Sequence, residues 1–402
     1  MTGSTSLVGE MLTLKGLARE DEVVRLLTDL VSIESVNPSL VGGRRGEAAL
    51  AEYVTNYLAS LGLAVESQSV LPERANVLGR LSGQNAARII FEAHMDTVTL
   101  EPMPDALIPR VGGGRLYGRG ACDTKGSLAA MLYALKLLKE HAAGQHASVL
   151  LAATIDEEVA YRGVLALVEA KPEADAAIVG EPTSLAPVIA HKGCVRWRIR
   201  TRGRAAHTSN AREGNNAIYQ MVEVIRCLRE QLEPRLATRT HPLAGAPSLV
   251  VSVIHGGLQV NIVPNECFVE IDRRTVPGET HAQVLDEVDQ ALDEIRRREP
   301  AFVIEREAPT LVDWPLDTPA GSAIARAGLS ACRAIRGSAE LGAVPYGSDA
   351  SKLSVLGHIP SIVLGPGDIA QAHTADEWVP VAEVVQAAEI YAQAAVELGR
   401  AA

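Results

Sequence analysis

Three consecutive acids, Asp156, Glu157 and Glu158, follow residues 148–155, an apolar run with the length of a buried strand. Such a run is typical of a parallel strand whose sheet is covered by helices on both faces. Carboxylates at the end of a buried strand repel one another unless a cation or a shared proton offsets their charge. A solvated loop whose acids complement a helix N-terminus is the alternative. These three residues alone therefore indicate either a metal site or a loop.

Three further strand-like runs end in side chains of the same chemical kind. They are residues 88–93 before His94 and Asp96, residues 175–180 before Glu181, and residues 360–365 before His373. In an open α/β sheet, ligands bind beside the carboxyl ends of the strands, so these side chains are expected to converge. Imidazole and carboxylate groups together favour Zn²⁺, with Mn²⁺ and Co²⁺ as alternatives. The four strand ends therefore predict a metal site.

The candidate ligands outnumber what a single ion uses. Asp123 lies in a glycine-rich loop just ahead of a predicted helix over residues 128–140. Together with the two histidines and the other acids, it exceeds the four ligands of a tetrahedral ion. A pair of ions about 3.5–4 Å apart, bridged by one carboxylate and one water, accommodates the surplus. The sequence has no G-x-S-x-G, Gly-Lys or H-E-x-x-H motif, which sets aside the corresponding hydrolase, P-loop and zinc-protease sites.

Composition limits the partners and the compartment. The net charge of −11 argues against a nucleic-acid or anionic-membrane partner. The five cysteines are scattered and form no C-x-x-C pair, which favours reduced thiols in a cytoplasmic protein. Residues 1–18 lack the pattern of a secretory signal, and no apolar run approaches the roughly 20 residues of a membrane span. We therefore expect a soluble cytoplasmic protein.

The length of 402 residues predicts two domains. Residues 190–306 show the order β-α-β-β-α-β of a split βαβ arrangement. We predict that this α+β domain is inserted into a catalytic α/β domain formed by residues 1–189 and 307–402. The catalytic domain is expected to contain a mostly parallel sheet covered by helices.

The chain resembles the metallopeptidase family that includes acetylornithine deacetylase, succinyl-diaminopimelate desuccinylase, aminoacylase and the glutamate carboxypeptidases. Five matching segments occur in the family's order: residues 94–96, 118–126, 156–158, 180–183 and the region around His373. The resemblance covers nearly all of the chain after about residue 20. Each segment is weak evidence by itself, whereas the five together are specific.

The resemblance implies roles for the residues of the metal site. His94 and Glu181 would bind one zinc, Glu158 and His373 would bind the other, and Asp123 would bridge the two. The peptide bond after Asp123 would be cis. Glu157 would be the general base that accepts a proton from the bridging water. Asp96, two residues after His94, is expected to accept the second imidazole N–H and to orient that ring.

The resemblance also implies substrate contacts from the inserted domain. His207 matches a histidine that stabilises the oxyanion, often from the partner subunit of a dimer, so a homodimer through residues 190–306 is expected. Asn261 and Arg274 match positions that hold the substrate carboxylate, although the adjacent Arg273 leaves the choice of arginine open. Ser348, beside Gly347, is expected at the same carboxylate.

The motifs near His373 and Glu181 look most like those of acetylornithine deacetylases, which implies an enzyme of arginine biosynthesis. The leading hypothesis is a two-zinc amidohydrolase that removes the acyl group from an N-acyl amino acid. A dipeptidase, a carboxypeptidase or a succinyl-diaminopimelate desuccinylase with the same machinery is the alternative. A non-catalytic, metal-dependent binding protein is a third hypothesis, without a motif in its favour.

Overall fold

The computed structural model describes residues 12–40 and 45–401. Most of residues 1–18, for which no secretory signal is expected, lies outside these described residues. The described chain divides into two compact units. Unit 1 consists of residues 12–40, 45–189, 318–342 and 348–401, and unit 2 of residues 190–317 and 343–347. Among the described helices, none has the length and apolar character needed to cross a membrane.

The helices alternate with strands over much of the chain. The α-helices are α1 Glu20–Ser32, α2 Ala48–Ser60, α3 Lys125–His141, α4 Arg162–Glu169, α5 Ala217–Cys227, α6 Glu233–Ala237, α7 His281–Arg298, α8 Ala323–Arg336, α9 Ala350–Val355 and α10 Val381–Ala401. A π-helical turn, Leu228–Leu232, joins α5 to α6.

The strands fall into a large sheet, a second sheet in unit 2 and a small three-stranded sheet. They are β1 Ala64–Leu71, β2 Arg74–Leu81, β3 Arg88–His94, β4 Arg110–Gly112, β5 Arg115–Tyr117, β6 Ser148–Thr154, β7 Ala176–Val179, β8 Val188–His191, β9 Gly193–Arg202, β10 Ser248–Gly256, β11 Glu266–Thr275, β12 Val303–Arg306, β13 Leu311–Asp313, β14 Leu316–Asp317, β15 Gly342–Val344, β16 Ser361–Val363 and β17 Trp378–Pro380.

The large sheet of unit 1 has a parallel centre. Its order is β1-β2-β6-β3-β7-β16, and β6, β3, β7 and β16 run in the same direction. These central strands are apolar and almost entirely buried, as expected for a sheet covered on both faces. The predicted mostly parallel α/β sheet is confirmed, and its four central strands are those whose ends carry the candidate ligands.

Helix α3 forms the centre of the unit 1 core. Every residue from Lys125 to Leu135 is buried, and the helix packs against α1 and α10. A helix that is apolar on all sides is typical of such a position. Because α3 begins two residues after Asp123, this packing determines where the Asp123 loop lies beside the sheet.

Unit 2 has the predicted α+β architecture. Its sheet has the order β10-β11-β9-β12, with antiparallel neighbours throughout, and the chain visits the elements in the order β9, α5, β10, β11, α7, β12. Strand β11 alternates between buried and half-buried residues, so one face of the sheet packs on the helices. Arginines and acids pair across the other face, for example Arg198 with Glu270.

Candidate metal centre

The parallel centre of the unit 1 sheet brings four strand ends to one edge. His94 is the last residue of β3 and lies opposite Thr154, the last residue of β6. Asp156, Glu157 and Glu158 therefore begin beside His94, and Glu181 follows β7 on the other side of β3. The loop after β16 leads to His373 through a short 3₁₀ turn.

Asp123 lies between the two histidines. Its Oδ1 is 3.1 Å from His94 Nε2, and its Oδ2 is 3.2 Å from His373 Nε2. Each carboxylate oxygen therefore faces a different imidazole. A carboxylate placed in this way could bridge two metal ions.

The remaining acids complete two groups of donors. Glu181 Oε1 lies 3.7 Å from His94 Nε2, and Glu158 Oε1 lies 3.1 Å from His373 Nε2. One oxygen of Glu157 lies within 4.8 Å of ligand atoms of both His94 and Glu181. All six donor residues that the sequence predicts at the metals or as the general base thus meet in unit 1.

The chemistry and spacing of these donors fit divalent ions. Bonds of about 2.0–2.1 Å to a tetrahedral Zn²⁺ place neighbouring ligand atoms roughly 3.3 Å apart. The nitrogen–oxygen separations of 3.1–3.7 Å around Asp123 are of that size. The donors are imidazole nitrogens and carboxylate oxygens, which suit Zn²⁺, Co²⁺ and Mn²⁺.

The charge balance of the cluster points the same way. Burial raises the pKa of Glu157 to about 8, and burial together with the nearby Asp123 raises the pKa of Glu158 and of Glu181. Contacts with Asp123 and Glu158 raise the pKa of His373 to about 11. The carboxyl groups of this cluster therefore crowd one another and depend on neighbouring positive charge, which bound dications would also supply.

Asp96 differs from the sequence prediction. His94 Nδ1 lies 2.9 Å from the main-chain oxygen of Asp96 but 3.6 Å from its carboxylate, which is too far for a hydrogen bond. Asp96 therefore contacts the ring as expected, but the hydrogen bond is made by its carbonyl, and its carboxylate lies only at ion-pair distance. The Asp96 carboxylate accepts the backbone N–H groups of Glu157, at 3.0 Å, and Glu158, at 3.2 Å.

The Asp123 loop is held by residues that the sequence analysis missed. Glu377 Oε1 accepts the backbone N–H groups of Cys122, at 3.0 Å, and Asp123, at 3.1 Å. Its Oε2 pairs with Arg119 Nη1 at 2.6 Å, and both side chains are buried. The Asp123–Thr124 peptide bond is cis, which confirms that expectation. The sequence signal for Glu377 was its position only four residues after His373.

Unit 2 brings His207 and Asn261 together. A backbone bridge joins His207 to Ile262, and the N–H of Thr208 donates to the carbonyl of Asn261 at 3.1 Å. Both candidate residues are exposed on these adjacent loops. The Nδ1 of His207 lies 2.7 Å from Ser209 Oγ, which leaves Nε2 directed away from that contact.

The structure separates the two adjacent arginines on β11. Arg273 is buried, and its guanidinium pairs with Glu279 at 2.5 Å and donates to the carbonyl of Arg274. Arg274 lies on the opposite, charged face, where it pairs with Asp272 at 2.7 Å. Arg273 is therefore engaged in contacts inside unit 2, and Arg274 is the more accessible of the two.

Gly347 and Ser348 lie at a tight approach of the chain. A Cβ on Gly347 would come within 1.9 Å of Asp313 Oδ2, so a larger residue there would require the Asp313 carboxylate to move. Ser348 is fully buried, and its carbonyl accepts hydrogen bonds from Ser351 Oγ and Lys352 Nζ, each at 3.0 Å.

The family model "Peptidase family M20/M25/M40" matches residues 90–397. This range includes every predicted metal ligand. An acetylornithine deacetylase from Myxococcus xanthus is 32% identical over 384 residues, covering 92% of this chain and 95% of that protein. The chain therefore belongs to the M20/M25/M40 peptidase family and is a metallohydrolase of that family.

Solved structures agree on the fold. The aminopeptidase PepT from Bacillus cereus superposes with a TM-score of 0.79 at 21% identity, covering 95% of this chain and 100% of that chain. The YXEP protein of Bacillus subtilis, a dinuclear metal-binding peptidase from the M20 family, gives a TM-score of 0.71 at 14% identity, covering 94% and 97%.

Proposed function

We propose that this protein is a two-metal amidohydrolase that removes the acyl group from an N-acyl amino acid, with N-acetylornithine as the first candidate substrate. The observation that carries the proposal is Asp123, which presents one oxygen to each of two histidines beside three further acids, Glu157, Glu158 and Glu181. The 32% identity to an acetylornithine deacetylase supports the choice of first substrate.

The ligands would divide into two sets around Asp123. His94 and Glu181 would hold one ion, and Glu158 and His373 the other. Zn²⁺ is the favoured metal, with Co²⁺ and Mn²⁺ as alternatives. When bound, such ions supply Lewis acidity towards an amide carbonyl and towards water.

Glu157 is assigned the proton transfer. Glu157 is half-buried beside His94 and Glu181, and neither of its carboxylate oxygens has a contact with a histidine as short as that of Glu158. A carboxylate in that position can accept a proton from the attacking water and donate it to the leaving amine. Asp96 holds the backbone of Glu157, so it supports this role by positioning.

Residues 190–306 are assigned to substrate binding and dimerisation, and residues 1–189 with 307–402 to catalysis. The imidazole of His207 would donate to the carbonyl oxygen as negative charge develops there. Asn261 and Arg274 would hold the substrate carboxylate, because a guanidinium offers two parallel donors to it. Gly347 and Ser348 are assigned to the same carboxylate.

The surface of unit 2 supports a homodimer. Strand β10 is an edge of its sheet, and its Val250 and Ile254 are exposed. In the loop that follows, Leu258 is 86% and Val260 99% exposed. Edge strands with apolar side chains are suited to pairing with a second copy. The five cysteines are all free and buried, which supports the proposed cytoplasmic location.

The experiment is a hydrolysis panel with Zn²⁺-loaded or Co²⁺-loaded protein. The substrates are N-acetylornithine, other N-acetyl amino acids, N-succinyl-diaminopimelate and dipeptides. Preferred turnover of N-acetyl amino acids supports the proposal, whereas preferred turnover of dipeptides or the N-succinyl compound assigns the alternative activity. Glu157→Gln protein is the control for contaminating hydrolases. Absence of turnover across the panel would overturn the enzymatic proposal.

A further inference from the structure

Asn37 joins two carboxylates that come from different strand ends. Its Nδ2 donates to Asp96 Oδ2 at 2.8 Å and to Asp156 Oδ1 at 2.9 Å. All three side chains are fully buried. Asp96 follows β3 and Asp156 follows β6, so one amide group links the ends of these neighbouring strands.

The contacts of Asp96 close a ring. Its Oδ1 accepts the N–H of Glu157 and its Oδ2 accepts the N–H of Glu158. These residues directly follow Asp156, so the ring passes from Asn37 through Asp96 to the Glu157–Glu158 backbone and returns through Asp156. The turn that carries the proposed base and one proposed ligand is thus held from both sides.

Asn37 is itself held by hydrogen bonds to the backbone of Thr97 and Ser39. Its N–H donates to the carbonyl of Thr97 at 3.0 Å, and its Oδ1 accepts the N–H of Ser39 at 3.0 Å. Because the amide oxygen is used in this way, the amide NH₂ points towards the two carboxylates. A preorganised donor loses little conformational entropy when it holds its partners.

Charged groups also contact Asp156, and Arg162 Nη1 lies 3.2 Å from its Oδ2. Arg74 Nη2 lies 3.2 Å from its Oδ1, and Arg74 also forms a two-pronged pair with Glu47 at 2.6 and 2.7 Å. Glu47 Oε1 accepts the N–H of Asp156 at 3.2 Å. The backbone of Asp156 has φ of 68°, a left-handed conformation that side chains rarely adopt without surrounding contacts.

We propose that Asn37 is a positioning residue for the hydrolytic reaction, acting through Asp96 and Asp156 on the directions of Glu157 and Glu158. An amide suits this place because it gives each buried carboxylate a hydrogen bond without adding a charge. The kinetic part of this inference rests on the proposed function, whereas the effect on Glu158 as a metal ligand does not require a substrate.

The first test compares Asn37→Asp and Asn37→Ala with the wild type. Asn37→Asp preserves the shape but replaces the double donor with a third carboxylate, and Asn37→Ala removes the donor. We expect kcat to fall about 10–100-fold with KM changed less than about threefold, and the weaker-bound Zn²⁺ to lose about tenfold in affinity. Zn²⁺ affinity is measured by competition with a chromophoric chelator.

Gln393→Ala is the matched control, because Gln393 is also a buried amide of unit 1 and bonds the backbone of Leu12 and Leu14. This control is expected to lower the melting temperature while leaving kcat and Zn²⁺ affinity unchanged. If the folded Asn37 variants behave like Gln393→Ala, with wild-type kcat and Zn²⁺ affinity, Asn37 has only a structural role and the proposal is overturned.

A second pair of variants decides the question should both Asn37 variants fail to fold. Asp156→Asn retains an oxygen that can accept from Asn37, whereas Asp156→Ala does not. The proposal requires Asp156→Asn to keep at least tenfold more Zn²⁺ affinity or kcat than Asp156→Ala. Equal values for the two refute it. A wild type without turnover on the panel defeats the proposed function, and the Zn²⁺ affinities then still test Asn37.

Discussion

At the scale of single residues, Glu157 and Glu158 are neighbours in sequence with different surroundings. Glu158 lies 3.1 Å from His373 Nε2, whereas Glu157 lies on the side of His94 and Glu181. Successive residues of an extended segment point in opposite directions, but the left-handed Asp156 turns this segment so that both reach the cluster. One acid can therefore bind a metal while the next transfers a proton.

Substitution of each glutamate by glutamine is predicted to separate these roles. Glu157→Gln keeps its shape but cannot accept a proton, so kcat should fall about 10²–10⁴-fold while both metals remain bound. Glu158→Gln should instead weaken one metal, and excess Zn²⁺ should restore part of its activity. Metal content and kcat are measured for both variants. Loss of a metal from Glu157→Gln, with both retained in Glu158→Gln, would show that the roles are reversed.

Asp123 leads to a prediction about metal number. Because its two oxygens face different histidines, fully loaded protein is expected to contain two divalent ions per chain. Chelation should abolish hydrolysis, and readdition of Zn²⁺ should restore it. Elemental analysis beside a titration of activity is the measurement. Full activity at saturation with one ion per chain would contradict the two-metal arrangement.

At the scale of elements, one short segment serves two parts of the site. Residues 373–377 carry His373 at one end and Glu377 at the other, and Glu377 holds the backbone of Cys122 and Asp123. A backbone hydrogen bond adds to this link, because the N–H of Gly118 donates to the carbonyl of Glu377 at 3.1 Å. This bond lies next to the antiparallel pairing of β5 with β17. The positions of His373 and Asp123 are therefore coupled through one segment.

Glu377→Gln is predicted to weaken metal binding without removing a ligand. The amide can still accept from the Asp123 loop, but its NH₂ group would face the buried Arg119 and leave that cation unpaired. We expect Zn²⁺ affinity to fall about 10–100-fold. Glu389→Gln is the control, since Glu389 is a buried acid elsewhere in unit 1 that accepts the N–H of Ala18. Equal Zn²⁺ affinities in the two variants would count against the coupling.

At the scale of the whole molecule, the proposed dimer makes catalysis a property of the assembly. Unit 2 carries both the exposed apolar edge around β10 and the exposed His207–Asn261 loops. If these loops serve the partner subunit, a chain without His207 still supplies Glu157. A chain without Glu157 still supplies His207. Two inactive chains would then form one complete site together.

Complementation is the expected outcome. Mixing His207→Ala with Glu157→Ala under conditions of subunit exchange should restore up to about a quarter of wild-type activity. In a statistical mixture about half of the dimers are heterodimers, and each heterodimer would have one working site of its two. Two differently tagged chains allow the heterodimer to be isolated and assayed. An isolated heterodimer without activity would place His207 in the site of its own subunit or outside catalysis.

The sequence by itself determined the elements and the residue types of the site. Apolar runs of strand length ended in His94, Glu158, Glu181 and His373, and parallel strands bring their carboxyl ends to one edge whatever the details of packing. The order β-α-β-β-α-β in residues 190–306 was likewise readable, because alternation and helical periodicity are local properties of the chain. The motifs then indicated the family to which the chain belongs.

Only the tertiary structure decided which atoms meet. Asp96 was expected at the His94 ring, yet its carboxylate holds the backbone of Glu157 and Glu158. Glu377 reaches an N–H group 254 residues away in sequence, and Asn37 bridges carboxylates 59 and 119 residues away. Such contacts depend on how distant segments pack, because a hydrogen bond requires atoms to lie within a few tenths of an ångström of their places. Periodicity assigns a residue to a face or a strand end, whereas that precision arises only when the whole unit folds.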